Sequence, residues 1–196
     1  MIEIEVKSPV ADFDRVKQTL EGGGARLVFE GQLIDLRYDA HDHRLRDQDH
    51  VLRVRVYRGT REDAWLDWKG PTSTAGHYKQ REELSVGITD AATLGTMLER
   101  MGYVVTMAID RHVWQYEVAG ATVRLERYPR MDDLVEVEGS VENIERAIDR
   151  TGLPRAGFTS ERLPDFVRRF EERTGTRAAL SAAELAGGPP QDPSNA

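Results

Sequence analysis

Ile2, Ile4 and Val6 alternate with Glu3, Glu5 and Lys7 at the start of the chain. Successive side chains of a β-strand point to opposite faces, so the three apolar residues share one face and the three charged ones the other. The alternation recurs. Leu52-Arg53-Val54-Arg55-Val56 puts two arginines on one face, and Trp65-Leu66-Asp67-Trp68-Lys69 puts Asp67 beside Lys69. The stretch from Lys79 to Ser85 aligns Lys79, Arg81, Glu83 and Ser85. Val123 to Glu126 aligns Arg124 and Glu126, and Leu134 to Glu138 repeats the Glu-x-Glu of the opening. Six predicted strands thus oppose a charged face to a largely apolar one. An ordinary solvated sheet face does not place like charges at successive same-face positions strand after strand.

A second period marks helices. Asp12 to about Glu21 brings Phe13, Val16 and Leu20 to one side before Gly22-Gly23-Gly24. Asp90 to Met101 aligns Leu94, Leu98 and Met101, Val141 to Arg150 aligns Ile144 and Ile148, and Leu163 to Glu172 aligns Phe166, Val167 and Phe170. Such stripes predict helices packed on a sheet. Charged strand faces and apolar helix stripes fit together if the sheet closes inside out: an α+β fold, an antiparallel β-barrel with a charged interior, covered by α-helices. Ile2, Ile4, Val6, Val54, Val135 and Val137 then face outward. Residues 1–172 form this domain, and 173–196, rich in Ala, Pro and Gly, are expected to be a marginal helix and a largely disordered tail.

Lys7, Arg53, Arg55, Lys69, Arg81 and Arg124 would give the lumen its positive charge, and Glu3, Glu5, Glu83, Glu126, Glu136 and Glu138 its negative charge. Left to pair only with itself, such a lumen carries a large desolvation cost. A polyphosphate with a hard divalent cation uses both signs, because Arg and Lys bind phosphate oxygens and carboxylates bind the metal. Carboxylates on neighbouring same-face positions repel unless a cation lies between them, so Glu5→Gln is expected to impair metal binding and raise the melting temperature.

Composition narrows the class. The 196 residues suit one domain, and a net charge of −7 argues against nucleic acid and anionic membranes as partners. No apolar run reaches a membrane span and no basic-then-apolar leader stands at the start. The absence of cysteine excludes disulfides and thiolate chemistry and suits a cytoplasmic protein. His41-Asp42-His43, with His50 nearby, lacks further ligands at zinc-like spacing and reads as a hairpin loop. Gly70 to His77 lacks the lysine of a phosphate loop. Asp35-x-x-Tyr38 before Leu52-Arg53-Val54-Arg55 echoes Arg111-x-x-Trp114 before Val123-Arg124-Leu125-Glu126, as two hairpins facing each other across a barrel would.

In order, these motifs resemble the CYTH domains, which include class IV adenylyl cyclases, thiamine triphosphatases and inorganic triphosphatases. The resemblance covers about Met1 to Phe170. Glu3-Ile4-Glu5-Val6-Lys7 is similar to the family's opening Glu-x-Glu-x-Lys, and Gln32, Asp35 and Tyr38 resemble its second strand. Leu52-Arg53-Val54-Arg55, Lys69-Gly70-Pro71, Arg81-Glu82-Glu83 and Val135-Glu136-Val137-Glu138 match its later strands. Glu126 stands where Asp is usual, Ser85 where many members have Glu, and Arg111 lacks a lysine two residues before it. The resemblance implies a triphosphate tunnel. Lys7, Arg53, Arg55, Lys69, Arg81, Arg111 and Arg124 would bind the triphosphate. Glu3, Glu5, Glu126, Glu136 and Glu138 would hold Mg²⁺ or Mn²⁺, and Glu83, Lys7 and Lys69 would take the catalytic roles. Lys-Gly-Pro inclines the reading to cyclisation of ATP to cyclic AMP and pyrophosphate. The alternatives are hydrolysis of tripolyphosphate or thiamine triphosphate and non-catalytic binding of nucleotide or polyphosphate. A homodimer is left open.

Overall fold

The computed structural model describes residues 2–188. Nine strands alternate with six α-helices: β1 (Ile2–Pro9), α1 (Phe13–Gly22), β2 (Arg26–Ala40), α2 (Arg44–Asp47), β3 (Val51–Gly59), β4 (Asp63–Lys69), β5 (Ser73–Ala75), β6 (Tyr78–Ile88), α3 (Ala91–Arg100), β7 (Tyr103–Val118), β8 (Ala121–Arg127), β9 (Leu134–Glu138), α4 (Val141–Thr151), α5 (Leu163–Thr174) and α6 (Ala182–Leu185). The sheet runs β1-β9-β8-β7-β2-β3-β4-β6, and β1 pairs with β6 to close it. Eight antiparallel strands therefore make a barrel, with β5 as a short flap on β6.

The faces fall as the alternation requires. Val6, Val135 and Val137 are buried outside the barrel among Phe13, Val16 and Leu20 of α1 and Ile144, Ala147 and Ile148 of α4. Val54 packs with Tyr38 under Leu98 of α3. Ile2 departs from the pattern: no helix covers that corner, and it is 60% exposed. Met101, expected on the buried stripe of α3, is also exposed because that helix ends at Arg100.

The helices begin and end on local chemistry. Asp12, Asp90 and Ser140 each accept a backbone N–H three residues on, satisfying donors that the first turn leaves open. Gly152 and Gly175 end α4 and α5 in left-handed conformation. Gly31 and Gly59 pair where β2 and β3 cross closely; a Cβ on Gly59 would lie 2.2 Å from the Glu30 carbonyl oxygen.

Both barrel ends are partly filled. At the lower end, Tyr57 continues the Arg53/Arg55 face and packs with Phe29, Leu33 and Val113, under the Arg61 guanidinium 3.9 Å from the Tyr57 ring centre. At the upper end, Met107, Ile109, Tyr128 and Leu134 meet Leu163, Phe166 and Val167 of α5. Ala178 and Leu180 join that cluster, and Ala179 bridges to Arg130. The start of the expected tail is thus packed on the barrel: Asp110 N–H donates to the Leu180 carbonyl, and burial of Ala178, Ala179 and Leu180 anchors the segment. Residues 189–196 lie outside the described residues. The two echoing hairpins do not face each other. β2 pairs directly with β7, so they lie side by side, and Asp35 meets Arg111.

Candidate active site in the barrel interior

One cavity, about 670 Å³ with the open solvent space at its mouth counted in, runs into the barrel, and alternation on eight strands brings distant residues to it. Lys7, Arg53, Arg55, Lys69, Arg81, Arg111 and Arg124 all line it, as do Glu3, Glu5, Glu126 and Glu136. Glu83 and Glu138 stand with Glu3, Arg55 and Arg124 at a second, lower opening. Four further charged residues line the cavity without having been singled out as site residues: Asp35, Arg37, Lys79 and Arg162. Asp35-Leu36-Arg37 carried the alternation signal, and Lys79 lies on the Arg81 face. Arg162 had no such signal, since it precedes α5 rather than sitting in a barrel strand. The expected six-to-six charge balance does not hold: ten cationic side chains and five carboxylates line the cavity.

The carboxylates act as hubs. Asp35, 1% exposed, accepts from Arg55 at 2.7 Å and Arg111 at 3.1 Å and lies 3.6 Å from Arg53. Arg53 also donates to Asp67 at 2.6 Å. Lys7 bridges Glu5 and Glu136, and Lys79 reaches Glu5 from β6. Lys69 lies between Glu3 and Glu83, 3.0 Å from the latter. Arg124 joins Glu136 to Glu138. Glu126 is engaged twice, by Arg111 at 2.8 Å and by the Tyr128 hydroxyl at 2.6 Å. Arg81 donates to the Gly70 carbonyl at 2.6 Å and to the Asp49 carbonyl, so backbone groups fix its fork at the upper rim.

The glutamates divide by surroundings. Burial would raise Glu5, but Lys7 and Lys79 outweigh it and hold the carboxyl well below the usual range. Burial is likewise overcome at Glu136 by Lys7 and at Glu83 by Lys69. At Glu3 and Glu138 burial prevails: Lys69 and Arg124 do not cancel it, neighbouring carboxylates add to it, and both groups are raised. Burial would lower Lys7, yet Glu136 and Glu5 push it above the ordinary lysine value.

The CYTH domain model matches residues 1–150. The chain belongs to the CYTH family. A Methanocaldococcus jannaschii relative, named as a candidate adenylate cyclase, is 24% identical over 144 residues, 74% of this chain and 80% of its own. A Vibrio parahaemolyticus structure, described as a candidate adenylate cyclase, superposes with a TM-score of 0.74 at 18% identity, covering 86% of this chain and 98% of its own. A Hippeastrum protein, described as a candidate adenylyl cyclase with dominant triphosphatase activity, has a TM-score of 0.60 at 16% identity, covering 92% and 98%.

CYTH enzymes of the triphosphate-tunnel type generally depend on a divalent metal. The donors at the lower half of this tunnel fit a hard cation: they are all carboxylate oxygens. Glu3 is raised by burial and by Glu5 and Glu83, and Glu138 by burial and by Glu3 and Glu136, an unfavourable state that a bound cation would relieve. Among the described residues no three such groups already converge as a metal cluster, because lysines and arginines stand between them. No helix among the described residues is long and apolar enough to cross a membrane.

Proposed function

We propose that this chain is a divalent-metal-dependent enzyme acting on the triphosphate group, with conversion of ATP to cyclic AMP and pyrophosphate as its leading reaction. The observation that carries the reading is the cationic majority lining the barrel cavity. It persists when Asp67, Glu83 and Glu138 are counted in. Arg53, Arg55, Arg111 and Arg124 would hold the phosphates, since guanidinium forks match phosphate oxygens and lose less to desolvation than ammonium groups. Lys7, kept charged by its two glutamates, would serve as a donor to phosphate oxygen rather than as a base. Lys69 would supply a second donor beside Glu83.

Glu3, Glu5, Glu136 and Glu138 would hold Mg²⁺ or Mn²⁺. The bound cation would lower the pKa of the attacking oxygen and offset charge on the leaving group. Glu126, the most deeply buried of these glutamates at 1% exposure and bonded to Arg111 and the Tyr128 hydroxyl, is assigned instead to orienting Arg111. Glu83, ionised at the lower opening, would accept a hydrogen bond from the attacking hydroxyl or water.

Hydrolysis of tripolyphosphate or thiamine triphosphate is the second reading, favoured by that lower opening, which would admit water to Glu3 and Glu83. The deciding experiment incubates the protein separately with ATP, tripolyphosphate and thiamine triphosphate in Mg²⁺ or Mn²⁺ and follows products by phosphorus NMR. Cyclic AMP with pyrophosphate supports cyclisation, and orthophosphate supports hydrolysis. Tight binding without either product would make the chain a binder and defeat both.

A further inference from the structure

Closure of the barrel leaves part of one strand edge open. β1 pairs with β6 only from Lys79 to Glu82, whereas β4 pairs with it as far as Ile88. Among the described residues, 84–88 therefore have no strand on their second side. Leu84, Ser85, Val86 and Gly87 are exposed in succession, Leu84 at 55% and Val86 at 56%. The Glu82 carbonyl accepts from Gly70 N–H on the β4 side. Backbone groups alternate sides along a strand, so Ser85 and Gly87 present their N–H and C=O groups to the open side. Such edges are usually blunted by charge, proline or a bulge. The stretch Leu-Ser-Val-Gly-Ile carries neither charge nor proline and runs along β4 without a register shift.

We propose that this edge binds a second copy of the chain, β6 against β6 in antiparallel, about a two-fold axis at Val86. The segment is self-complementary in that register. On the outer face Leu84 meets Ile88 of the partner subunit, and Val86 meets the partner's Val86. On the inner face Ser85 meets the partner's Gly87, and no charged side chain opposes another. The backbone groups of Ser85 and Gly87 bond across the axis, which satisfies every donor and acceptor that the edge leaves open. Centring on Ser85 instead would bring Ile88 of the partner subunit opposite Glu82, where Ile2 already pairs. Centring on Gly87 would set Leu84 against the partner's Asp90. A strand of another protein needs no such self-match, and it is the self-match that selects a second copy. Leu84 and Ser85 also line the lower opening of the tunnel, so pairing sets the two openings beside the axis. A segment of this length falls short of the roughly 800 Å² per partner of a standard interface, so the dimer is weak and concentration-dependent.

Sedimentation equilibrium of the full chain tests it across a series from low micromolar to near-millimolar protein. The wild type should pass from monomer to dimer within that range. Val86→Lys sets two like charges face to face on the axis and should raise the midpoint concentration at least about five-fold. Met101→Lys, at an exposed apolar position on the far end of α3, should leave the midpoint unchanged. A second measurement reads the register directly. The chain has no cysteine, so Val86→Cys adds a single thiol. Val86 and its copy form a non-hydrogen-bonded antiparallel pair, with Cα atoms about 4.5 Å apart and within disulfide reach. Mild oxidation should link Val86→Cys into a covalent dimer. Leu84→Cys, which faces Ile88 of the partner subunit rather than its own copy, should link far less. A monomer at every concentration would overturn the proposal and leave the edge to a strand of another protein. A dimer that Val86→Lys does not weaken, or equal linking of the two cysteine variants, would overturn it as well.

Discussion

Asp35 accepts from Arg55 and Arg111 and stands close to Arg53, so one carboxylate offsets three buried guanidiniums. Without it Arg55 has no carboxylate partner among the described residues, while Arg53 keeps Asp67 and Arg111 keeps Glu126; leaving a buried charge unpaired costs about 3–5 kcal/mol. Asp35→Asn should therefore lose stability of that order in urea unfolding. Tripolyphosphate should restore part of it, because an anion bound only to the folded state adds stability by mass action. The glutamates give an opposed pair. Glu138 is raised above 4.5 in the folded protein, so its contribution to stability is full below that value and is lost as pH rises through the raised one. Glu138→Gln should raise the melting temperature at neutral pH without metal, and the gain should fade in acid. Glu5 is depressed below 4.5, so its contribution is present above that value and lost as pH falls through the depressed one. Glu5→Gln should lower the melting temperature at neutral pH. The expectation of relief at Glu5 thus reverses: the carboxylate lies between Lys7 and Lys79, and repulsion is relieved at Glu138 instead. Melting curves from neutral to about pH 3 check both.

Element-scale behaviour follows from which strand face a helix covers. Val54 is 1% exposed beneath α3, and Ile2 on an equivalent outward face is 60% exposed. Val54→Asp should bury an unpaired charge and cost on the order of 4 kcal/mol, whereas Ile2→Ser should stay within about 0.5 kcal/mol. Denaturant titrations of the two variants would sink the outward assignment if the order were reversed. Six of the nine strands and the four longer helices were legible because each carries its own period, and three of the helices carry a cap: Asp12, Asp90 and Ser140 mark their starts. The packed segment 178–180 was not legible. The Ala-rich stretch has no strong period, and what buries Ala178 and Leu180 is a surface assembled from β7, Tyr128 just past β8, β9 and α5. Local spacing likewise cannot reveal that β2 pairs with β7, which is why the two echoing hairpins looked opposed.

At the scale of the molecule, the tunnel brings carboxylates from β1, β6 and β9 toward its lower half, where Glu3 and Glu138 are raised. Chelation should abolish turnover, and added Mg²⁺ or Mn²⁺ should restore it; full activity with metal removal verified by elemental analysis would refute metal dependence. The alternation of charge and apolarity by itself determined that a strand such as Ile2–Lys7 has a charged inner and an apolar outer face, since a period of two leaves no other arrangement. It also determined that Lys7, Arg53, Arg55, Lys69, Arg81 and Arg124 would converge if the sheet closed. Only the tertiary structure decided the partners: Asp35 as the shared counter-charge, Glu126 held by Arg111 and Tyr128, Arg162 swung in from outside the barrel, and apolar residues filling part of each end. The physical reason is that facing direction is a local property of the backbone, whereas ion pairing and burial depend on strand register and closure, which join residues as far apart in sequence as Lys7 and Glu136.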